Sequence, residues 1–188
     1  MSQASTNEIK PGMKVEVDKD PYLVVSNEFV KPGKGQAFNR IRLKNILTGR
    51  VMERTFKSGD KLDLADVEEG QMRLLYKESD AGVFMDDKTF EQLTISFDVM
   101  KETTQWLKED AVYDIIFYKG SAVEVMPPTF MELKIIDTAP GVRGDTASGR
   151  VMKNAILETG AKIQIPIFVD NEEMIRVDTR TCEYVSRV

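Results

Sequence analysis

Apolar and polar residues alternate along most of this chain, and the alternation predicts strands. Asn39-Arg40-Ile41-Arg42-Leu43-Lys44 alternates strictly. That period turns Ile41 and Leu43 toward a core and Arg40, Arg42 and Lys44 outward. Residues 22–25 predict the preceding strand. Residues 50–56 predict the following one, after a turn at Thr48-Gly49. This first stretch reads as a small antiparallel barrel or sandwich. Further on, Met72-Arg73-Leu74-Leu75-Tyr76 and Gly82-Val83-Phe84-Met85-Asp86 read as a hairpin. The period then changes. Between residues 98 and 109, Val99, Met100, Thr103, Trp106 and Leu107 fall at helical spacing. Strands resume at residues 111–118 and 122–125. Strands, one short helix and more strands within about 60 residues is the order of a five-stranded Greek-key barrel of the OB type. The last third predicts strands at residues 130–136, 161–168 and 174–179, and a second such barrel.

Breaks in the pattern divide the chain. The turn-rich run at residues 57–61 is followed by the acidic run at residues 63–70, and Pro127-Pro128 resists both helix and central strand. The expected domains are residues 1–64, 65–127 and 128–188. Charge follows the same division. Residues 1–64 hold 12 Lys and Arg against 8 Asp and Glu, residues 65–127 hold 6 against 14, and residues 128–188 hold 8 against 9. A basic first segment suits a polyanionic partner, and the acidic middle would be held away from it.

Composition narrows the chemistry. There is no histidine among the 188 residues, and Cys182 is the single cysteine. A zinc site and a Ser-His-Asp or Cys-His triad are therefore excluded, and so is an internal disulfide. No stretch approaches the roughly 20 apolar residues that span a bilayer. The polar N-terminus lacks a secretory core, which predicts a cytoplasmic protein. The Gly-, Asp-, Thr- and Ser-rich loop at residues 138–148 has no following helix, so it is a poor phosphate cradle. Arg143-Gly144-Asp145 matches an adhesion tripeptide, which has no meaning inside a cell. No cofactor or catalytic residue is expected.

What remains is Val30-Lys31-Pro32-Gly33-Lys34-Gly35-Gln36-Ala37-Phe38. Pro32, Gly33 and Gly35 are turn-formers between two strands, so the segment reads as a hairpin tip. Lys34 stands between two glycines, open to a polyanion or to covalent modification. A solvated loop lysine would look the same. With Lys31, Arg40, Arg42 and Lys44, it makes a basic strip suited to phosphate contacts.

The tip resembles the modification loop of bacterial translation elongation factor P. So do Thr55-Phe56-Lys57-Ser58, Phe90-Glu91-Gln92-Leu93 and Pro140-Gly141-Val142-Arg143-Gly144-Asp145-Thr146-Ala147. The third segment resembles that family's C-terminal signature at Lys153, Ala155, Thr159-Gly160, Ile165-Pro166, Phe168, Ile175-Arg176-Val177-Asp178-Thr179 and Glu183-Tyr184. The resemblance covers essentially the whole chain. It implies an all-β protein of three small barrels in an L-shaped, tRNA-like arrangement: an SH3-like (KOW-like) N-terminal barrel followed by two OB-fold barrels. It also implies a non-enzymatic, monomeric elongation factor. Such a factor binds the 70S ribosome between the peptidyl and exit sites and relieves stalling at consecutive prolines. On this reading Lys34 receives a β-lysyl group from a lysine-modifying enzyme, with or without hydroxylation. Lys31, Pro32, Gly33, Gly35 and Gln36 share the contact with peptidyl-tRNA. Arg40, Arg42 and Lys44 meet RNA backbone, and Arg143, Gly144, Asp145 and Thr146 face the small subunit and mRNA.

The chain departs from the family pattern at Glu172 and Cys182, where glycine is usual. It departs again in the Ser148-to-Lys153 connection, which lacks the usual proline near Asn154. An elongation-factor-P-like paralogue would depart at the tip, which this chain does not. A general RNA-binding OB protein acting off the ribosome would interleave aromatics with its basic residues, where Arg40, Arg42 and Lys44 have aliphatic partners.

Overall fold

A computed structural model describes residues 2–140 and 151–188. The chain divides into two compact units. One runs up to Gly70 and includes Ile116–Glu124; the other comprises Gln71–Ile115 and Val125–Val188. Strands dominate both, as the alternation predicts, and the fold is all-β.

The first sheet has six strands: β1 (Gln3–Ser5), β2 (Lys14–Val17), β3 (Asp20–Val30), β4 (Phe38–Asn45), β5 (Val51–Lys57) and β6 (Lys61–Leu64). Their order is β1-β6-β2-β3-β4-β5. Ile41 and Leu43 are buried with Val15, Val17, Val24 and Leu62, while Arg40, Arg42 and Lys44 face outward. β2 turns into β3 through Asp18-Lys19, with φ of 52° and 72° and Val17 paired to Asp20. Two positive φ values in a two-residue hairpin match the native strand twist. β1, β2 and β6 were not expected from the pattern. Three or four residues are too few to display a period, and Lys61 and Asp63 give β6 a polar look around buried Leu62.

A second sheet has the order β11-β10-β7-β8-β9. Its strands are β7 (Val67–Lys77), β8 (Ala81–Met85), β9 (Gln92–Ser96), β10 (Val112–Tyr118) and β11 (Ser121–Met126). The expected hairpin is β7 with β8. Phe84 and Tyr113 meet edge to face, with ring centroids 5.6 Å apart. Tyr113 is fully buried. Its hydroxyl donates to the Trp106 carbonyl and accepts from the Lys108 amide, each at 2.8 Å. Burial pushes the phenol up to about 12, so it stays protonated. At Gly82 a Cβ would lie 3.0–3.1 Å from Phe84, Leu74 and Met100, so only glycine lets these three side chains close over the strand.

The predicted helix is shorter than its apolar spacing suggests. One α turn, α1 (Phe97–Met100), gives way to a 3-10 stretch, Lys101–Trp106. Lys101 has φ 52° and ψ −121°, which breaks the helical path. Trp106, which helical spacing places among the apolar positions of that stretch, is only 3% exposed in the core of the last barrel, beside Leu133, Ile135, Leu157 and Ile165.

That last barrel is closed: β12 (Phe130–Thr138), β13 (Met152–Leu157), β14 (Lys162–Pro166), β16 (Glu183–Arg187) and β15 (Met174–Asp178), in that order around it. β13 and β16 escaped the sequence reading. β16 is mostly solvent-exposed and lacks a buried face. Glu172 and Cys182 have φ of 68° and 58°, the left-handed region that favours glycine.

Candidate functional site

The tip of interest is held by the longest hairpin of the first unit. β3 and β4 pair from Tyr22↔Asn45 to Val30↔Phe38, with a register shift between Val24 and Ser26. Residues 31–37 form the turn beyond the last pair. Near the tip the hairpin leaves the core: Phe29 is 56% exposed, and Val30 and Phe38 are half-buried.

Lys31, Gly33, Lys34, Gly35 and Gln36 are exposed, and Pro32 is half-buried. Gly35 has φ 117°, which an L side chain rarely adopts, and a Cβ there would sit 3.7 Å from the Pro32 ring. Among the described residues nothing lies within 4 Å of a Cβ at Gly33. Lys34 is thus carried on a turn whose backbone needs glycine on one side and is open on the other. Among the described residues, no ion pair engages Lys31, Lys34, Arg42 or Lys44.

A buried amide relay fixes the base of this arm. Asn39 is 2% exposed, and its Nδ2 donates to Asn27 Oδ1 at 3.0 Å. Asn27 Nδ2 donates in turn to the Thr6 and Ile9 carbonyls, both at 2.8 Å. Buried Thr6 donates its hydroxyl to the Lys57 carbonyl at 3.2 Å and accepts the Gly59 amide at 3.0 Å. The arm is therefore tied to the segment after β1 and to the turn after β5. Buried amides of this kind hold geometry because leaving one unpaired costs about 1–3 kcal/mol. Asn39 Oδ1 has no partner among the described residues. The signal for the relay lay in the alternation itself, which puts Asn39 in phase with Ile41 and Leu43 and so at an inward position.

The basic strip is present but less uniform than its sequence suggests. Arg40, Arg42 and Lys44 share the outer face of β4. Yet Glu28 on β3 and Glu53 on β5 flank Arg40, at 3.7 Å and 3.4 Å. Arg42 pairs in register with Ser26 and Glu53, and Lys44 with Leu23 and Val51. Alternation shows which residues share a face of one strand; it does not show what the neighbouring strands bring to that face.

Arg143, Gly144, Asp145 and Thr146 lie outside the described residues. Among the described residues, no group of three or more Cys, Asp or Glu is placed to hold a metal ion. No helix there is long and apolar enough to cross a membrane.

Comparison with known proteins places three family models along the chain. Residues 5–62 match "Elongation factor P (EF-P) KOW-like domain", residues 67–125 match "Elongation factor P (EF-P) OB domain", and residues 131–187 match "Elongation factor P, C-terminal". A relative from Protochlamydia amoebophila, "Elongation factor P 2", is 68% identical over 100% of this chain and 99% of its own length. Relatives of the same name from Chlamydia muridarum and Chlamydia caviae are 57% and 56% identical with the same coverage. Among solved structures, initiation factor 5A from Methanococcus jannaschii superposes with a TM-score of 0.52 at 22% identity, covering 66% of this chain and 95% of that one. A factor 5A family protein from Naegleria fowleri gives 0.57 at 13% identity with the same coverage. These two likenesses concern the fold.

Proposed function

This chain belongs to the elongation factor P family of translation elongation factors, and from that premise we propose that it relieves ribosomes stalled at consecutive prolines. The observation that carries the reading is Lys34: exposed, without an ion pair among the described residues, and raised on an arm whose base is pinned by Asn27 and Asn39. Proline is a conformationally restricted substrate, so the end of a peptidyl-tRNA carrying it samples unproductive geometries. A cationic arm lying along that anionic end would hold it in a reactive geometry. This is catalysis by positioning, with the reacting groups supplied by the tRNAs.

On this proposal the chain acts in the cytoplasm, between the peptidyl and exit sites of the 70S ribosome. A lysine-modifying enzyme extends Lys34 with a β-lysyl group, which lengthens the arm and adds an amine. Lys31, Pro32, Gly33, Gly35 and Gln36 shape the contact with peptidyl-tRNA. Arg42 and Lys44 meet ribosomal or transfer RNA phosphate, and Arg40 joins them by exchanging Glu28 and Glu53 for phosphate. Arg143, Gly144, Asp145 and Thr146 face the small subunit. Residues 1–64, 65–127 and 128–188 are the working domains.

The test is translation of a reporter bearing consecutive prolines. The wild-type chain, modified in its own host, should restore full-length product, and Lys34→Ala should fold and bind ribosomes without restoring it. Relief that is absent with the wild type, or undiminished in Lys34→Ala, would overturn the proposal. The intact mass of the protein from its host reports the modification directly.

A further inference from the structure

The loop between β8 and β9 holds an aromatic residue in a way that folding alone does not explain. Phe90 is 70% exposed, the most exposed large apolar side chain among the described residues. Its φ is 60°, a left-handed conformation that is an outlier for a bulky residue. Water contact and backbone strain thus fall on the same side chain.

The loop does not drift into this conformation; it is fastened there. The Asp86 carboxylate accepts the amides of Lys88 at 2.7 Å and Thr89 at 3.1 Å. The Phe90 amide donates to the Asp86 carbonyl at 2.8 Å, and the Asp86 amide to the Glu91 carbonyl at 3.0 Å. Thr89 Oγ1 accepts the Glu91 amide at 3.3 Å. Beside it, Arg73 grips Asp87 through two bonds of 3.0 Å and 2.6 Å. A third bond from Arg73 reaches the Asp110 carbonyl at 2.6 Å. An outlier that its surroundings over-determine points to use at that position.

The neighbours indicate what meets it. An aromatic that stacks on nucleic-acid bases is normally set among cations that hold the phosphates. Around Phe90 the loop carries Asp86, Asp87 and Glu91 against Lys88, and Arg73 balances Asp87, so the rim keeps a net negative charge. The Lys88 and Thr89 amides keep Asp86 ionised below the usual carboxylate range, and Arg73 does the same for Asp87. Such a rim repels a phosphate backbone and attracts a basic protein. An aromatic knob with two side-chain torsions loses little freedom when it docks, which suits an anchor.

We propose that Phe90 is a preset anchor that inserts into an apolar pocket on a basic protein component of the ribosome, its acidic loop facing the cations around that pocket. The proposal rests on the ribosomal reading of this chain. It adds a protein contact, separate from the Lys34 arm, that sets affinity and leaves the reaction itself untouched.

The experiment uses the full chain and 70S ribosomes stalled on a consecutive-proline message. Phe90→Gly should raise the half-saturating concentration at least about fivefold, while the rate at saturation stays unchanged. The same variant should raise the melting temperature, because glycine relieves the left-handed strain. Phe90→Tyr should keep near-wild-type affinity. Gain in stability with loss of affinity cannot come from a merely structural residue. A photo-crosslinker at position 90 should label one basic ribosomal protein. Crosslinking to ribosomal RNA alone, or wild-type affinity in Phe90→Gly, would overturn the anchor while Lys34-dependent relief still stands. A wild-type chain that neither binds ribosomes nor relieves stalling would instead overturn the ribosomal reading.

Discussion

The two loops that lift a side chain away from this protein do so by opposite means. The loop at residues 31–37 meets its unusual backbone demand with Gly35 and surrounds Lys34 with almost nothing. The loop at residues 86–91 meets a similar demand with Phe90 itself and binds the backbone around it through Asp86. The first arrangement is fixed at its base, by Asn27 and Asn39, and free at its end. The second is fixed at the residue it displays. The difference teaches what each side chain is for. A group that must be reached by a modifying enzyme and then follow a flexible partner needs a free end. A group that must fit a preformed pocket gains from being held still.

The largest effect should come from changing Lys34 while keeping its charge. Lys34→Arg retains a cation but offers no primary amine for acylation. If the free end exists to be extended, relief of proline stalling should fall at least about tenfold, the loss expected when a positioning group is shortened. The rate of full-length product formation reads it. Near-wild-type relief would mean that charge alone suffices. Next comes Gly35→Ala. A Cβ at φ 117° is strained, so the turn must reshape and Lys34 must point elsewhere. Because the turn is exposed, the melting temperature should move little while the rate at saturation drops about two- to tenfold. A large loss of stability would show that the tip is tied down after all.

A smaller effect is expected at the fastened loop. Asp86→Ala removes the acceptor for two amides, so hydrogen exchange at Lys88 and Thr89 should quicken while the rest of the β8–β9 hairpin keeps its protection. Protonation should imitate the substitution. The Lys88 and Thr89 amides hold the Asp86 carboxyl below its ordinary value. Its contribution to the closed loop is therefore complete above about pH 4 and is lost as pH falls through the lower folded value. Exchange that is indifferent to both changes would mean that the loop is held by its backbone bonds alone.

Much of this could be read in the sequence, for a physical reason in each case. Long strands with a regularly buried face, such as β4 and β12, announce themselves by alternation. Short β2 and β6 and exposed β16 do not. The Lys34 tip was legible because Pro and Gly dictate turns locally. The carboxylates around Arg40 were not, since Glu28 and Glu53 reach it only through strand register. Trp106 showed its burial but not its company, because helical spacing says nothing about which barrel the apolar face meets. Phe90 looked like part of a family motif, and no pattern in its neighbours signals a left-handed, exposed aromatic.

The smallest effect tests whether positive φ at a non-glycine residue always marks a displayed side chain, as at Phe90. Glu172 and Cys182 share that conformation without an exposed aromatic side chain. At Cys182 the strain arises from a turn pinned at its start. Thr179 Oγ1 donates to the Pro128 carbonyl at 2.8 Å, and Arg180 closes on Asp178 through bonds of 3.1 Å and 2.7 Å. The Cys182 thiol itself comes only to 4.0 Å from the Thr179 carbonyl, so little holds the side chain in place. Cys182→Gly should therefore stabilise the last barrel by roughly 0.5–1 kcal/mol, the left-handed strain less the added freedom of the unfolded chain. Cys182→Ala keeps a Cβ and should change nothing. Glu172→Gly should gain less than Cys182→Gly, because it also gives up the ion pair with Lys134. Trp106, the only tryptophan of the chain, sits in that barrel's core and reports the urea midpoint by fluorescence. None of the three variants should alter relief of stalling. A fall in activity with Cys182→Gly would mean that this turn, too, is strained for a purpose.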